Sequence, residues 1–297
     1  MTDARDPGGD PPEIQRTAPP EWAVPPAPPP PTPPPLGAPP PPLGAPPPPL
    51  GAPPLPHLAP LPGEARRRRR KPLGRRLAVA LVQLMAVFVL GSVLWVLAYR
   101  VIDPPFTLTI AGDVACGQGV TRNWLAIDRI DRDMVRAAIG AEDAAFCTHH
   151  GFDYDAIEAA MRRNAGGGRV LRGGSTISQQ TAKNAFLWQG GGWFRKGLEA
   201  WFTLLIERLW GKRRIMEVYL NLAETGIGTY GVDAGARRYF RHGAQSLTPA
   251  EAAAIAAVLP LPKKREGVAP AGFTRRYGRA IVSRIAAVRR ERLDRCV

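Results

Sequence analysis

The sequence predicts a mostly α-helical globular domain carried behind a single N-terminal transmembrane helix. Three observations lead there. Residues 77–97, LAVALVQLMAVFVLGSVLWVL, form an apolar run interrupted only by Gln83 and Ser92. At 1.5 Å per residue such a run spans a bilayer core of about 30 Å. Beyond it, one segment after another repeats apolar residues at i, i+3 and i+4, the period of a helix with one buried face. Strand-like patterning is nearly absent, and only TLTIAGD (107–113) reads as a short strand.

The chain has 297 residues, and most of its 34 prolines fall within residues 1–63. That tail repeats PPPLGA and PPPPLGA (33–52), a composition that favours extended polyproline II and cannot bury enough apolar surface to fold. A cytoplasmic spacer is its first reading, and a ligand for a proline-binding module is its second. Residues 64–76, EARRRRRKPLGRR, hold eight cations and one acid directly before the apolar run. The positive-inside rule therefore places the N-terminus in the cytoplasm, residues 77–98 in the bilayer and residues 99–297 outside. Trp95 and Tyr99 stand near the far end, as interfacial aromatics do. A cleaved leader with VLA (96–98) as its site fits poorly after so long an N-terminal segment.

Helical periodicity follows over 132–146, 153–164, 175–188, 194–211, 212–224 and 248–262, the last opening with a Thr cap and a first-turn proline. A terminal helix places Ile281, Ile285 and Val288 on one face and arginines elsewhere. Phe186, Trp188, Trp193 and Phe194 surround three glycines and suit either a core or a membrane interface. Residues 77–297 hold 30 Lys and Arg against 19 Asp and Glu. Such an excess suits nucleic acid, anionic lipid or a phosphorylated substrate. The anchor favours the last two, so a membrane-lipid partner is expected and a nucleic-acid partner is not.

Three cysteines, Cys116, Cys147 and Cys296, offer no spacing that declares a framework, so their pairing is left open. Cys147, His149 and His150 are too close in sequence to converge on a metal. GIGTYG (226–231) follows a helical pattern rather than a strand, which makes it a glycine-rich turn and not a dinucleotide fingerprint. A Ser-x-x-Lys nucleophile with a later Lys-Thr-Gly is not found.

Two stretches carry chemistry. In EDAAFCTHHGFD (142–153) the acids Glu142 and Asp143 lie between small apolar flanks, so desolvation raises at least one pKa and makes a better base. In GGSTISQQTAKN (173–184) the pair Thr176 and Gln179 forms a capping-box pattern. A helix start with free amides and hydroxyls suits an anion. Thr176, Gln179 or Gln180, and Lys183 share one helix face; glutamine amides suit sugar hydroxyls and Lys183 a phosphate. Arg195 and Lys196 come just before a further acid, Glu199.

EDAAFCTHHG, GGSTISQQTAKN, RKGLE, KRRIMEVYLN and GVDAGARRYF occur in the order and approximate spacing of the five motifs of the peptidoglycan glycosyltransferases. The chain resembles that family over about residues 105–270, and within it the monofunctional members with one anchor. The resemblance implies a lysozyme-like fold of two lobes with a cleft opening at the bacterial inner membrane. It implies lipid II as acceptor and the growing glycan chain as donor, with undecaprenyl pyrophosphate leaving. Glu142 matches the family's general base and Glu199 the second glutamate, on the pyrophosphate side. Ser175, Lys183, Arg195 and Lys196 would hold phosphate oxygens, and Gln179, Gln180 and Asn221 the sugars, beside Thr176 at the helix start. Asp143 and His149 would shape the site.

A divalent cation, Mg or Mn, is the one cofactor implied; no organic cofactor is. Moenomycin would occupy the donor site, and wall-synthesis or division proteins are the partners implied for the tail. One position departs: relatives carry an arginine where this chain has Gly191. Either Arg195 or Lys196 then takes over its phosphate contact, or donor binding is weaker than in relatives. Two rival functions remain, a lytic muramidase and a catalytically weak anchored scaffold.

Overall fold

A computed structural model describes residues 73–165, 174–265, 267 and 270–297. The tail at 1–63 and most of the basic block, up to residue 72, lie outside the described residues, as does Gly173. Ten helices occur among the described residues: α1 (Leu73–Val101), α2 (Leu108–Ala115), α3 (Arg132–Glu142), α4 (Tyr154–Ala165), α5 (Ile177–Phe186), α6 (Gly192–Leu209), α7 (Lys212–Leu222), α8 (Val232–Phe240), α9 (Pro249–Val258) and α10 (Gly272–Glu291). The expectation of a mostly helical protein holds.

The short strand expected at 107–113 is instead α2. Thr107 caps it, its hydroxyl accepting from Ile110 N at 3.3 Å, and Thr109, Ile110 and Asp113 turn one face inward. Its β-branched residues favour a strand, but the cap decides for the helix. The small sheet lies elsewhere, in the order β1 (Thr121–Arg122), β3 (Thr229–Tyr230), β2 (Glu224–Gly226). β2 and β3 are antiparallel, and β1 runs parallel to β3 with Thr121 opposite Thr229. The glycine-rich 226–231 stretch is the turn of that hairpin. Gly228 has φ +65°, and a Cβ there would meet the Gly119 carbonyl oxygen at 2.1 Å, so only glycine fits.

Helices α3, α9 and α10 pack as one group, and α5 packs with α6 and α7 as another. A single apolar core joins them, with Ile139, Phe146, Ile177, Ile206, Ile215 and Met216 wholly buried. Each such side chain contributes roughly 1.5–3 kcal/mol relative to its exposed state. Within α7 every residue from Ile215 to Leu222 except Glu217 is buried, so α7 is the central post of the domain.

Helix α1 is continuous through and beyond the expected span, and most of its length is exposed apolar surface. Its outer half is different. Trp201 Nε1 donates to Ser92 Oγ at 3.0 Å, Trp210 Nε1 donates to the Val96 carbonyl at 2.9 Å, and Val96 belongs to the core. Arg214 closes the junction with bonds to the carbonyls of Tyr99 and Ile102 and an ion pair to Asp103. Of the four aromatics left open between core and interface, Phe186 is buried, stacked on Phe202 at 4.6 Å, while Trp193 and Phe194 are 91% and 74% exposed and Trp188 is partly so.

Cysteine pairing, left open by the sequence, is settled for two of the three. Cys147 and Cys296 form a disulfide across 149 residues, and Cys116 is free and exposed.

Candidate active site

The helical period that runs to residue 146 is broken at Asp143, where the chain leaves α3 with φ −159°. Asp143 has been recruited elsewhere. Its Oδ2 accepts the Ile177 amide at 2.9 Å, at the first turn of α5, where helix amides have no partner of their own. His149 Nε2 donates to the same carboxylate at 2.9 Å, and His149 Nδ1 accepts from Gly151 N at 3.1 Å. Those two bonds require the neutral tautomer with the proton on Nε2. Thr176 Oγ1 donates to the Gly151 carbonyl at 2.7 Å and closes the loop. Asp143 and His149 thus lock the end of α3 against the start of α5.

That lock aims Glu142 at α5. Gln180 Nε2 donates to Glu142 Oε2 at 3.0 Å. Burial pushes the Glu142 carboxyl above the usual range, against the Gln180 bond and the charges of Arg265 and Lys183, which pull it down. One turn along the same face, Lys183 has its ammonium pKa lowered, chiefly by burial and further by Arg195 and Lys196, while Glu199 and Glu142 oppose the shift. Among the described residues Lys183 makes no ion pair, and it lies within electrostatic reach of both Glu142 and Glu199.

The second acid sits in its own cluster. Glu199, 3% exposed, receives Arg195 Nη1 at 2.7 Å on one oxygen and Lys196 Nζ on the other. Lys196 Nζ also donates to Ser175 Oγ at 3.2 Å. Arg195 in turn donates to the Gly190 carbonyl, across a turn in which Gly190, Gly191 and Gly192 all have positive φ. A Cβ on Gly191 would lie 2.9 Å from Arg195 Cβ and 2.9 Å from Trp188 Nε1. Arg195 therefore packs over the position where an arginine was expected.

Three residues expected to contact substrate are buried in the protein. Thr176 and Gln179 are buried and form a reciprocal capping box, Thr176 N donating to Gln179 Oε1 at 3.0 Å and Gln179 N to Thr176 Oγ1 at 3.1 Å. Asn221 is wholly buried; its amide accepts from Leu125 N and donates to the carbonyls of Leu125 and Glu217, each at 2.8 Å. It pins the 125–127 turn to α7 and has no face toward a ligand. Among the described residues no three His, Cys, Asp or Glu side chains converge, and Glu199 is already held by two cations.

A cavity of about 260 Å³ continues from Gln180, Lys183 and Asn184 to Gln189, Glu224 and Tyr230. These last four, with Arg265, were not singled out from the sequence. Burial raises the Glu224 carboxyl, with Lys263 at 3.8 Å opposing the shift. Tyr219 lines the same space, its phenol pushed well up by burial and its hydroxyl without a hydrogen-bond partner among the described residues. Glu224 and Gln189 lie on a hairpin and a helix-end turn, where periodicity gives no signal for which side chains point inward.

The transglycosylase family model matches residues 111–285, a range that holds both acids and every cation of the two clusters. The biosynthetic peptidoglycan transglycosylase of Caulobacter vibrioides is 48% identical over 223 residues, 75% of this chain and 97% of its own length. That of Rhodospirillum centenum is 48% identical over 224 residues, 75% of this chain and 95% of its own. A third, from Xanthomonas campestris pv. campestris strain B100, is 48% identical over 217 residues, covering 71% and 86%. A buried acid aimed by its helix lock, a cation-held second acid and this family match over most of the domain lead to one statement: the chain belongs to the transglycosylase family.

Proposed function

We propose that the chain polymerises lipid II into β-1,4 glycan strands, with Glu142 as general base and the cations around Glu199 as the cradle for the departing pyrophosphate. The family match and the biosynthetic peptidoglycan transglycosylases it resembles support peptidoglycan glycosyl transfer in cell-wall synthesis as the reaction. The observation that carries the residue roles is Lys183, partly buried, without an ion pair among the described residues and within electrostatic reach of both Glu142 and Glu199.

Glu142 takes the proton from the 4-hydroxyl of the acceptor GlcNAc as that oxygen attacks the anomeric carbon of the donor MurNAc. The carbon–oxygen bond to pyrophosphate breaks, the configuration inverts from α to β, and the electron pair leaves on undecaprenyl pyrophosphate. A carboxyl raised by burial is a stronger base than a free glutamate. Lys183, Arg195 and Lys196 meet the developing phosphate charge from fixed positions, without reorganising at the moment of reaction. Glu199 acts through them: by holding Arg195 and Lys196 it sets where their charges stand. Gln180 bridges base and sugar, and Ser175 hydrogen-bonds Lys196 at the rim. No step is given to a metal ion.

Helix α1 is the one described helix long and apolar enough to cross a bilayer. We place it in the inner membrane, N-terminus in the cytoplasm and domain in the periplasm. Arg66–Arg76 before the span support that orientation, and so does a disulfide in the domain, since such bonds persist outside the reducing cytosol. The tail is then a cytoplasmic spacer that wall-synthesis or division proteins can reach.

Incubating purified protein with lipid II tests the reading. The wild type should yield long glycan chains and Glu142→Gln none, while both variants bind moenomycin. Polymer from Glu142→Gln refutes the base. Soluble muropeptides released from finished wall would instead show a hydrolase.

A further inference from the structure

The last four carbonyls of a helix have no partner within it. In α3 those of Gly140 and Ala141 stand directly before Glu142, and α10 satisfies both. Tyr277 Oη donates to Ala141 O at 2.9 Å, and Arg284 Nη1 donates to Gly140 O at 3.0 Å. Arg284 also lies over the Tyr277 ring at 5.8 Å. The two helices approach so closely here that a Cβ on Gly140 would meet Arg284 Cβ at 2.9 Å.

The other end of α3 is gripped by the same segment. Arg132 and Arg136 pair with Asp294 at 2.9 and 3.0 Å, and Arg289 bonds Asp133 at 2.6 Å. A third hold is covalent: Cys296 is bonded to Cys147, five residues past Glu142, and Cys296 N donates to Cys147 Sγ at 3.3 Å. Arg265 adds charge to this brace. It donates to Ala257 O at 2.8 Å and stacks on Phe273 and Tyr277 at 5.1 and 5.8 Å, within electrostatic reach of Glu142. Asp294 and Cys296 lie past residue 285, where the family match stops.

We propose that the C-terminal segment, through Tyr277 and Arg284 on α10 and the Cys147–Cys296 bridge, positions Glu142 for proton abstraction. This inference rests on Glu142 being the base. Both α10 donors act on the backbone from which that side chain leaves the helix, and an error of about 1 Å at a reacting group can slow catalysis on the order of a hundredfold.

Tyr277→Phe keeps the ring and its stacking and removes the hydroxyl, with its bond to Ala141 O and its contact with Arg284. Measured with lipid II, its kcat should fall about tenfold while KM changes less than twofold. The acid limb of its pH–rate profile should move up, because a displaced Glu142 loses part of the Gln180 bond that favours its charged form. Arg284→Lys, which keeps a donor, should retain at least half of the wild-type kcat, and Arg284→Met should behave like Tyr277→Phe. Moenomycin binding with wild-type affinity reports that each variant is folded with its donor site intact. A loss confined to KM, or a pH profile that does not move in Tyr277→Phe, would overturn the inference. Glu142→Gln separates the two levels: if it still polymerises, the base assignment fails, whereas an inactive Glu142→Gln beside a fully active Tyr277→Phe sinks only the positioning role.

Discussion

Breaking the Cys147–Cys296 bridge should cost the domain much of its stability, and the structure sets the size. The bond closes a loop of 149 residues. With the chain-entropy relation, a loop of that length removes roughly 17 cal/mol/K from the unfolded ensemble, or about 5 kcal/mol at 25 °C. For a domain of this size each kcal/mol moves the midpoint by about 2–4 °C, so the full effect approaches 10–20 °C. The ion pairs from Arg132 and Arg136 to Asp294 survive reduction and hold the folded tail, but they do nothing to constrain the unfolded chain. The assay is thermal unfolding in detergent of the wild type, the wild type treated with a dithiol reductant, and Cys147→Ser/Cys296→Ser. The reductant and the double variant should agree. A midpoint shift under about 3 °C, with both thiols shown to be free, would refute the entropic reasoning.

Four further outcomes are expected. Gly191→Arg, the change that would restore the arginine of relatives, should lower activity rather than raise it. Position 191 has φ +89° and no room for a Cβ beside Arg195, and left-handed backbone alone costs an L-residue roughly 1–2 kcal/mol; lipid II turnover and thermal midpoint measured together check this. Glu142 must be charged to act, so kcat/KM should rise with pH through its raised pKa, on a limb above the ordinary glutamate value of about 4.3. Gln180→Met removes a bond that favours the charged form and should move that limb further up; a downward shift would contradict the geometry. Asn221→Ala strands three backbone groups and should destabilise the domain by about 2–4 kcal/mol in denaturant titration, with KM for lipid II little changed in the folded fraction.

The helices were legible because their burial faces repeat with the helical period, and α5 even displayed its capping box in the letters Thr176 and Gln179. At the site the letters do not separate roles: Thr176 and Gln179 cap α5, whereas Gln180, one step round the helix, bonds Glu142. Asn221 sits in the KRRIMEVYLN stretch, on the side of α7 that faces the 125–127 turn, whereas Tyr219 on the same turn lines the cavity. Boundaries depend on what a side chain reaches across the fold, and α3 stops at Glu142 because Asp143 is needed at α5. The α2 segment shows local propensity yielding to a cap. Cys147 and Cys296 gave no sign of pairing because they are 149 residues apart and meet only through the course of α10 across the fold. Glu224, Gln189 and Arg265 reach the cleft from turns and loop, where period carries no information.

The contact between α1 and α6 changes what kind of anchor this is. Val96 is a core residue, and Trp201 and Trp210 bond to the helix itself. Helix and domain are therefore one rigid body over the last two turns and more, about 10 Å of axis from Ser92 to Tyr99 at 1.5 Å per residue. A tethered enzyme could swing after its polymer. Here, tilting the domain on α1 means breaking two indole hydrogen bonds and lifting Val96 out of the core.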